Sequence, residues 1–285
     1  MNNTDVGALM SRSSVFDPAA VNWEAIADHP LPADAARALR YMQDVESHTI
    51  IYLRDLLSTH AVEDPTVAGF LATWFYEETA HGRALGRFLT ALGHPLGPSS
   101  SATRPWLSER IEALGIACLA ALWRDFPVVH MTWGAINELS TLTGYRRLTE
   151  RAGHPVLDDL LTQIMRDESR HFGFYFEQAA RRLAASGLAR RLTRTLVDHF
   201  WDPVGAGVQP PSETRFLARY LFSGAEGRAA AHTVDRTIRR LPGFEDAQLL
   251  TAWIDRHCGD ASSREMLPTA IASCSAQEGR ASARP

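Results

Sequence analysis

The chain has 285 residues and a formal net charge of −4, and because it contains no lysine, all 29 of its Lys+Arg residues are arginines. The lack of lysine excludes Schiff-base chemistry, a pyridoxal phosphate anchor and a phosphate-binding-loop lysine. The negative net charge disfavours a nucleic-acid-binding domain, so we expect no nucleic-acid partner. The three cysteines, Cys118, Cys258 and Cys274, are too few and too scattered for a disulfide framework or a thiolate metal site.

Membrane and export signals are not seen in the sequence. The first residues, MNNTDVGALMSRSSVF, lack the long apolar run of a signal peptide. No uncharged apolar stretch reaches the length of about eighteen residues that a membrane span requires. We therefore expect a soluble, cytoplasmic protein without a membrane span.

The predicted elements are all helical, because no segment alternates with period two and β-branched residues do not cluster. We expect an irregular arm over 1–32, a helical domain over 33–258 and a disordered polar tail over 259–285. Turn signals place the helices, in chain order, at 33–60, 64–92, 106–123, 127–152, 155–185, 187–201, 212–223, 225–240 and 245–257. Gly153 is a natural cap for the fourth helix. Long helices joined by short loops predict an all-α bundle.

Two of the predicted helices carry the same pattern, an acid followed by Glu-x-x-His. FYEETAHGRAL contains Glu78 and His81, and MRDESRHFGFY contains Glu168 and His171. Residues three apart lie on one face of a helix, so each pair can bind a common metal centre. A single pair of this kind is more often an exposed Glu–His pair. Two pairs in two long helices favour metal ligands.

Two further glutamates fall on apolar faces of the helices that precede these motifs. Glu46 lies on the apolar stripe of the first predicted helix, whereas Asp44 and His48 fall on its polar side. Glu138 lies among Trp, Ile and Leu side chains of the fourth. A buried carboxylate needs a cation or must be neutral. The sequence therefore predicts two transition-metal ions, iron or manganese, held by four carboxylates and two imidazoles: Glu46, Glu78, His81, Glu138, Glu168 and His171.

Each motif glutamate is preceded directly by another acid, Glu77 or Asp167. A metal-bound histidine usually donates its other N–H to a carboxylate. By the pseudo-symmetry of the two halves, we predict that Asp167 orients His81 and that Glu77 orients His171. In the alternative, these acids are solvated or paired with two arginines, Arg83 and Arg166.

The segments EETAH, ELST and RDESRH resemble the soluble acyl-carrier-protein desaturases and related diiron oxygenases of the ferritin-like diiron carboxylate superfamily. The resemblance covers roughly residues 35–185. It implies a ferritin-like four-helix bundle with additional helices, in which Glu78 and Glu168 bridge two irons and Glu46 and Glu138 are terminal ligands. It also implies that Thr141 lies near the oxygen-binding position. Alternatively, Thr141 bonds back to its own helix.

The resemblance implies an O2-dependent oxidoreductase that desaturates or oxygenates a hydrophobic, acyl-type substrate. One alternative is a diiron oxygenase of secondary metabolism that acts on a small amine, amino-acid-derived or aldehyde substrate. Another is a non-catalytic metal-binding bundle. The chain has Leu85 where ribonucleotide reductase small subunits carry a radical Tyr, and Ile164 near the position where amine N-oxygenases add a third His.

The resemblance also implies an external electron donor such as ferredoxin and a homodimer. If an acyl carrier protein delivers the substrate, its acidic surface needs a basic one. The candidate arginines form two sets: Arg146, Arg147 and Arg151, or Arg190, Arg191 and Arg194. Solvated arginines on a helix exterior are the alternative. Gly134 and Gly144, inside the fourth helix, predict close approach of a substrate or a neighbouring helix.

Overall fold

The computed structural model describes residues 16–94, 120, 122–206 and 209–259. Regular structure in these residues is helical, and the only β pairing among them is an isolated bridge between Ala206 and Gln209. The all-α prediction is confirmed. The predicted helix over 106–123 and the predicted disordered tail lie outside the described residues, apart from residues 120, 122, 123 and 259. Within the described part, no helix combines the length and apolarity needed to cross a membrane.

The described residues form nine α-helices. In chain order these are α1 (Ala33–Ser47), α2 (Thr49–Leu57), α3 (Pro65–Ala91), α4 (Pro127–Ala152), α5 (Pro155–Ala185), α6 (Gly187–Phe200), α7 (Pro211–Phe222), α8 (Gly224–Ile238) and α9 (Leu249–Cys258). Short 3-10 helices span Pro18–Ala20, Trp23–Asp28 and His60–Glu63. The arm is not wholly detached, because Ile26 is completely buried against the helices.

Local capping chemistry sets the ends of the long helices. Asp64 caps α3 by accepting a hydrogen bond from the Thr66 amide at 3.0 Å, and Pro65 occupies the first helical position. Gly153 ends α4 with φ of 60°, the left-handed conformation that a glycine adopts at little cost. His154 and Pro155 then start α5 immediately. This short connection places α5 directly alongside α4.

The prediction of one helix over 33–60 is wrong, because the helix breaks at His48, where φ is −100° and ψ is 6°. Around the break, the Ser47 hydroxyl donates to the Gln43 carbonyl at 2.8 Å and the Thr49 hydroxyl donates to the Glu46 carbonyl at 2.9 Å. Such side-chain bonds compete with the helical backbone ladder. Glu46 consequently lies in the last turn of α1.

Helix α1 packs along α3, α4 packs along α5, and the two pairs contact each other. Gly82 of α3 permits close contact with the end of α1: a Cβ there would lie 2.9 Å from Ser47 Oγ and 3.3 Å from Glu46 Cβ. The four helices that carry the predicted ligands therefore meet in one buried region. Helices α6, α7 and α8 pack against this region from the carboxyl-terminal half, and α9 packs against α7 and α8.

Candidate metal centre

The structure brings the six predicted ligands together in the interior. Each has a relative exposure of 7% or less. They form two overlapping groups, in each of which ligand atoms lie within 4.8 Å of one another: Glu46, Glu78, His81 and Glu168, and Glu78, Glu138, Glu168 and His171. Glu78 and Glu168 belong to both groups. This is the arrangement expected of two adjacent ion sites with two bridging carboxylates.

The spacing inside the groups suits coordination. His81 Nδ1 lies 3.2 Å from Glu168 Oε1, and His171 Nδ1 lies 3.1 Å from Glu78 Oε1. Two ligand atoms that are both about 2.1 Å from one ion, at tetrahedral or octahedral angles, lie about 3.0–3.4 Å apart. Each histidine thus faces the bridging carboxylate of the opposite motif.

Five atoms that face into these groups are buried and have no hydrogen-bond partner: Glu46 Oε2, Glu78 Oε1, His81 Nδ1, Glu168 Oε1 and His171 Nδ1. Leaving such an atom unsatisfied costs about 1–3 kcal/mol, and native structures contain few of them. All five belong to predicted ligands, and a bound cation satisfies them together. A set of two nitrogens and four carboxylates suits a transition metal rather than magnesium or calcium.

The outer nitrogens of both histidines bond to the predicted acids. His81 Nε2 lies 3.1 Å from Asp167 Oδ2, and His171 Nε2 lies 2.7 Å from Glu77 Oε2. Because a carboxylate accepts, each Nε2 carries a proton, and Nδ1 is the ring nitrogen that can bind a metal ion once it has released any proton of its own. The crossed pairing matches the prediction made from the pseudo-symmetry of the motifs.

The arginine that contacts these acids is Arg170, and not Arg83 or Arg166 as the alternative had it. Its guanidinium lies 2.7 Å from Glu77 Oε1 and 2.7 Å from Asp167 Oδ1. One arginine therefore connects the acids behind both histidines, and a continuous chain of polar contacts joins His81 to His171. The sequence indicates only the contact with Asp167, because Arg170 follows it by three residues on one helix face. The contact with Glu77 joins two helices and has no such signal.

Two aromatic donors bond to Glu46 and Glu138, and sequence reasoning did not identify this role for either. Trp74 Nε1 donates to Glu138 Oε1 at 2.9 Å, and the fully buried Tyr145 hydroxyl donates to Glu46 Oε1. Each donor bonds one carboxylate oxygen and leaves the other directed to the centre. Both contacts join different helices, so helical spacing gives no sign of them.

Electrostatics within the cluster favour a cation. Burial, together with repulsion from neighbouring carboxylates, raises the pKa values of Glu46 and Glu138 well above the ordinary range and that of Glu78 to about 7. Burial lowers the pKa of His81, but Asp167 and Glu168 outweigh it and raise the value to about 9. The metal-free cluster therefore holds protons at positions where metal ions would compete with them.

Thr141 lies next to this centre, on the wall of a cavity of about 290 Å³ that Glu138 and Glu168 also line. Ser140 and Thr143 donate to carbonyls one turn earlier in α4. Among the described residues, Thr141 Oγ1 makes no such bond. Thr141 thus lines the same cavity as two of the predicted ligands, and its place near an oxygen-binding position stays a prediction.

The two glycines of α4 meet different neighbours. A Cβ on Gly134 would lie 2.5 Å from the Tyr175 ring, which also lines the cavity. A Cβ on Gly144 would lie 3.0 Å from the Met42 side chain, so this glycine serves helix packing. Close approach was expected at both positions, and at both the neighbour is protein.

Several candidate docking arginines are engaged within the protein. Arg147 is buried, and it donates to the Leu221 carbonyl at 3.2 Å and to Glu150. Arg194 pairs with Asp198 and Asp246. These contacts reduce the charge that either set of arginines offers to an acidic partner.

Comparison of the chain with protein-family models, with curated proteins and with solved structures gives no match. The class that the site itself defines is a buried carboxylate–histidine cluster able to hold metal ions. A more specific function has to be inferred from the arrangement of the residues in this cluster and from the cavity beside it.

Proposed function

We propose that the protein is a dinuclear iron oxidoreductase with a ferritin-like helical bundle, which uses O2 to desaturate or oxygenate a hydrophobic substrate. The observation that supports this most is the pair of overlapping ligand groups with five unsatisfied inward atoms. The adjoining cavity, with Thr141 on its wall, gives a substrate access to the same carboxylates. Manganese is a possible replacement for iron, because its ligand preferences are similar.

Two ferrous ions in such a site supply the reduction of O2 and the oxidation of an unactivated C–H bond. Desaturation takes two hydrogens from the substrate and consumes one O2, two electrons and two protons, which gives two waters. Oxygenation with the same inputs inserts one oxygen atom and gives one water. In both cases an external donor such as ferredoxin delivers the two electrons.

The side chains of the protein have separable tasks. Glu78 and Glu168, which belong to both ligand groups, would help to hold both ions, and their charge would offset part of that of the ions. The acids behind the two histidines fix which ring nitrogen is protonated, and Arg170 balances those acids. The apolar part of the cavity excludes water from the substrate, so that oxidising equivalents reach a carbon atom rather than solvent.

The test is anaerobic ferrous titration of the metal-free protein, followed by an O2 pulse with stopped-flow absorbance. We expect two irons per chain and a transient absorbance band after the pulse. We expect Glu78→Ala or Glu168→Ala to abolish binding of two irons, because each removes a ligand that both sites share. Glu63→Ala, on the surface, is the matched control. Two irons bound tightly in both ligand variants, or fewer than two in the wild type, would overturn the assignment.

Thr141→Ala separates metal binding from O2 reactivity. We expect this variant to bind two irons but to change the rate or yield of the reaction with O2, since the hydroxyl lies beside the centre without a bond to its own helix. Thr143→Ala is the control, because that hydroxyl bonds to its own helix. Identical traces for both variants would leave Thr141 without a role. Substrate-dependent O2 consumption distinguishes an enzyme from a non-catalytic metal-binding bundle.

A further inference from the structure

The cavity next to the candidate metal centre is lined by many acidic side chains. Its ionisable lining among the described residues comprises five carboxylates, Glu46, Asp55, Glu78, Glu138 and Glu168, together with His130 and two tyrosines. No arginine is among the described lining residues. The described lining side chains therefore offer no positive charge to an anionic substrate such as a free fatty acid, and burying an unpaired charge is costly.

Two divalent ions would balance the four glutamates, which leaves Asp55 as the remaining acid of the lining. Its side chain is 56% exposed, so it lies at the mouth of the cavity. Its ion pair with Arg54, itself 72% exposed, is a solvent-exposed pair of the kind that contributes little to stability. Asp55 is thus able to exchange this partner for a cation in the cavity.

His130 provides a second polar group on the same wall. It precedes Glu138 by eight residues of α4, which is about 12 Å along the helix axis. Burial lowers the pKa of His130 to about 4, so the imidazole is neutral at physiological pH and has one nitrogen that accepts a hydrogen bond. The cavity therefore has an acceptor and a carboxylate at one end and the metal ligands at the other.

The volume sets the size of the molecule that fits. A cavity of about 290 Å³ is at the lower end of ligand pockets. A molecule of eight or nine carbons with one polar group fits a cavity of this size.

We infer that the substrate is a small amphipathic amine, whose ammonium group is held by Asp55 and His130 while its apolar body extends to Glu138 and Thr141. The reacting atom in this arrangement is a carbon at the end remote from nitrogen. The inference rests on the proposed function for its chemistry, but the binding it describes requires no reaction with O2.

Binding is measured by calorimetry on protein loaded with Zn²⁺, which supports no redox reaction. The probes are n-octylamine, octanoate and octan-1-ol, which share a chain length and differ in charge. We expect octylamine to bind at least tenfold more tightly than octanol, and octanoate to bind more weakly than either. Octanoate binding as tightly as octylamine would overturn the inference.

Variants identify where the ammonium group binds. We expect Asp55→Asn to weaken octylamine binding about tenfold and to leave octanol binding unchanged, because only the charge of the mouth is altered. His130→Phe, which keeps an aromatic ring, should also weaken octylamine more than octanol. Glu63→Gln removes an exposed acid elsewhere and should change neither. Equal loss for amine and alcohol in Asp55→Asn, or an equal loss in Glu63→Gln, would show that the amine binds elsewhere.

The two proposals fail in distinguishable ways. If the zinc-loaded protein binds octylamine but the iron-loaded protein does not react with O2, the proposed oxidoreductase function fails and the amine site stands. If the iron-loaded protein forms the O2 transient but the protein binds no amine, the inference of an amine site fails and the proposed oxidoreductase function stands.

Discussion

Arg170 is the residue at which the structure makes its sharpest prediction. We consider Arg170→Gln, which removes the positive charge but keeps a polar side chain of similar reach. In the native protein, the guanidinium contacts Glu77 and Asp167 at 2.7 Å each, and both carboxylates are at most 3% exposed. After substitution, both buried acids lose the guanidinium and keep their contacts to the two histidines.

The magnitude follows from burial. Breaking a buried ion pair by removing one partner costs about 3–5 kcal/mol, because a charge stays buried without compensation. The Arg170 side chain is 23% exposed, so water takes over part of its role, and we expect a loss of about 2–3 kcal/mol. For a chain of this length, that lowers Tm by roughly 4–10 °C. Metal affinity should fall about 10–100-fold, because the acids orient both coordinating histidines.

The assay is urea denaturation and calorimetric scanning of the metal-free protein, with competitive chelator titration for the affinity. Arg166→Gln is the matched control, because Arg166 lies one turn earlier on α5 and is exposed. If Arg170→Gln matches Arg166→Gln in both stability and affinity, the connection between the two histidines has no energetic role, and the reasoning is refuted.

Four further substitutions test other parts of the structure. Tyr145→Phe removes the donor to Glu46 and should weaken metal binding about tenfold with little change in helicity, measured by chelator competition and circular dichroism; unchanged affinity would contradict this. Gly134→Ala should destabilise the protein by about 1–2 kcal/mol through contact with the neighbouring tyrosine ring. Gly173→Ala, where a Cβ meets nothing within 4 Å, should instead stabilise it by up to about 1 kcal/mol in the same urea experiment. Finally, the folded pKa of His130, about 4, is below the ordinary 6.5, so the unfolded chain binds the proton first and stability is lost as pH falls between these values. His130→Gln should remove about 1–2 kcal/mol of the stability loss between pH 7 and pH 5; an unchanged pH dependence would show that His130 titrates normally.

The ends of α4 and α5 were predictable to the residue because their signals are local. A proline fixes the first turn of each, and Gly153 with His154 and Pro155 leaves few ways to connect them. The break at His48 was not predictable in the same way. No proline or glycine marks it, and it arises when serine and threonine hydroxyls compete with the backbone for carbonyls.

The candidate site likewise combines features that local sequence patterns predict with features that depend on how the helices pack. The two Glu-x-x-His pairs each lie on one helix, so their spacing predicted which side chains would face a common centre, and the structure brings them together. Trp74 and Tyr145 bond to glutamates on other helices, and such contacts depend on how the helices pack. Apolar periodicity identified a buried face at Glu46 and Glu138, but it does not specify which donor meets each carboxylate.

The interruption at His48 has a consequence for entry to the interior. Helix α2 spans nine residues, too few for stability by itself, and it lines the cavity with Thr49, Tyr52 and Asp55. Because the interruption separates α2 from Glu46, this short helix can open as its own cooperative unit while α1 keeps its ligand in place. Amide hydrogen exchange should then be faster in α2 than in α1. Local opening of α2 would let a molecule enter the cavity while the six predicted ligands stay together.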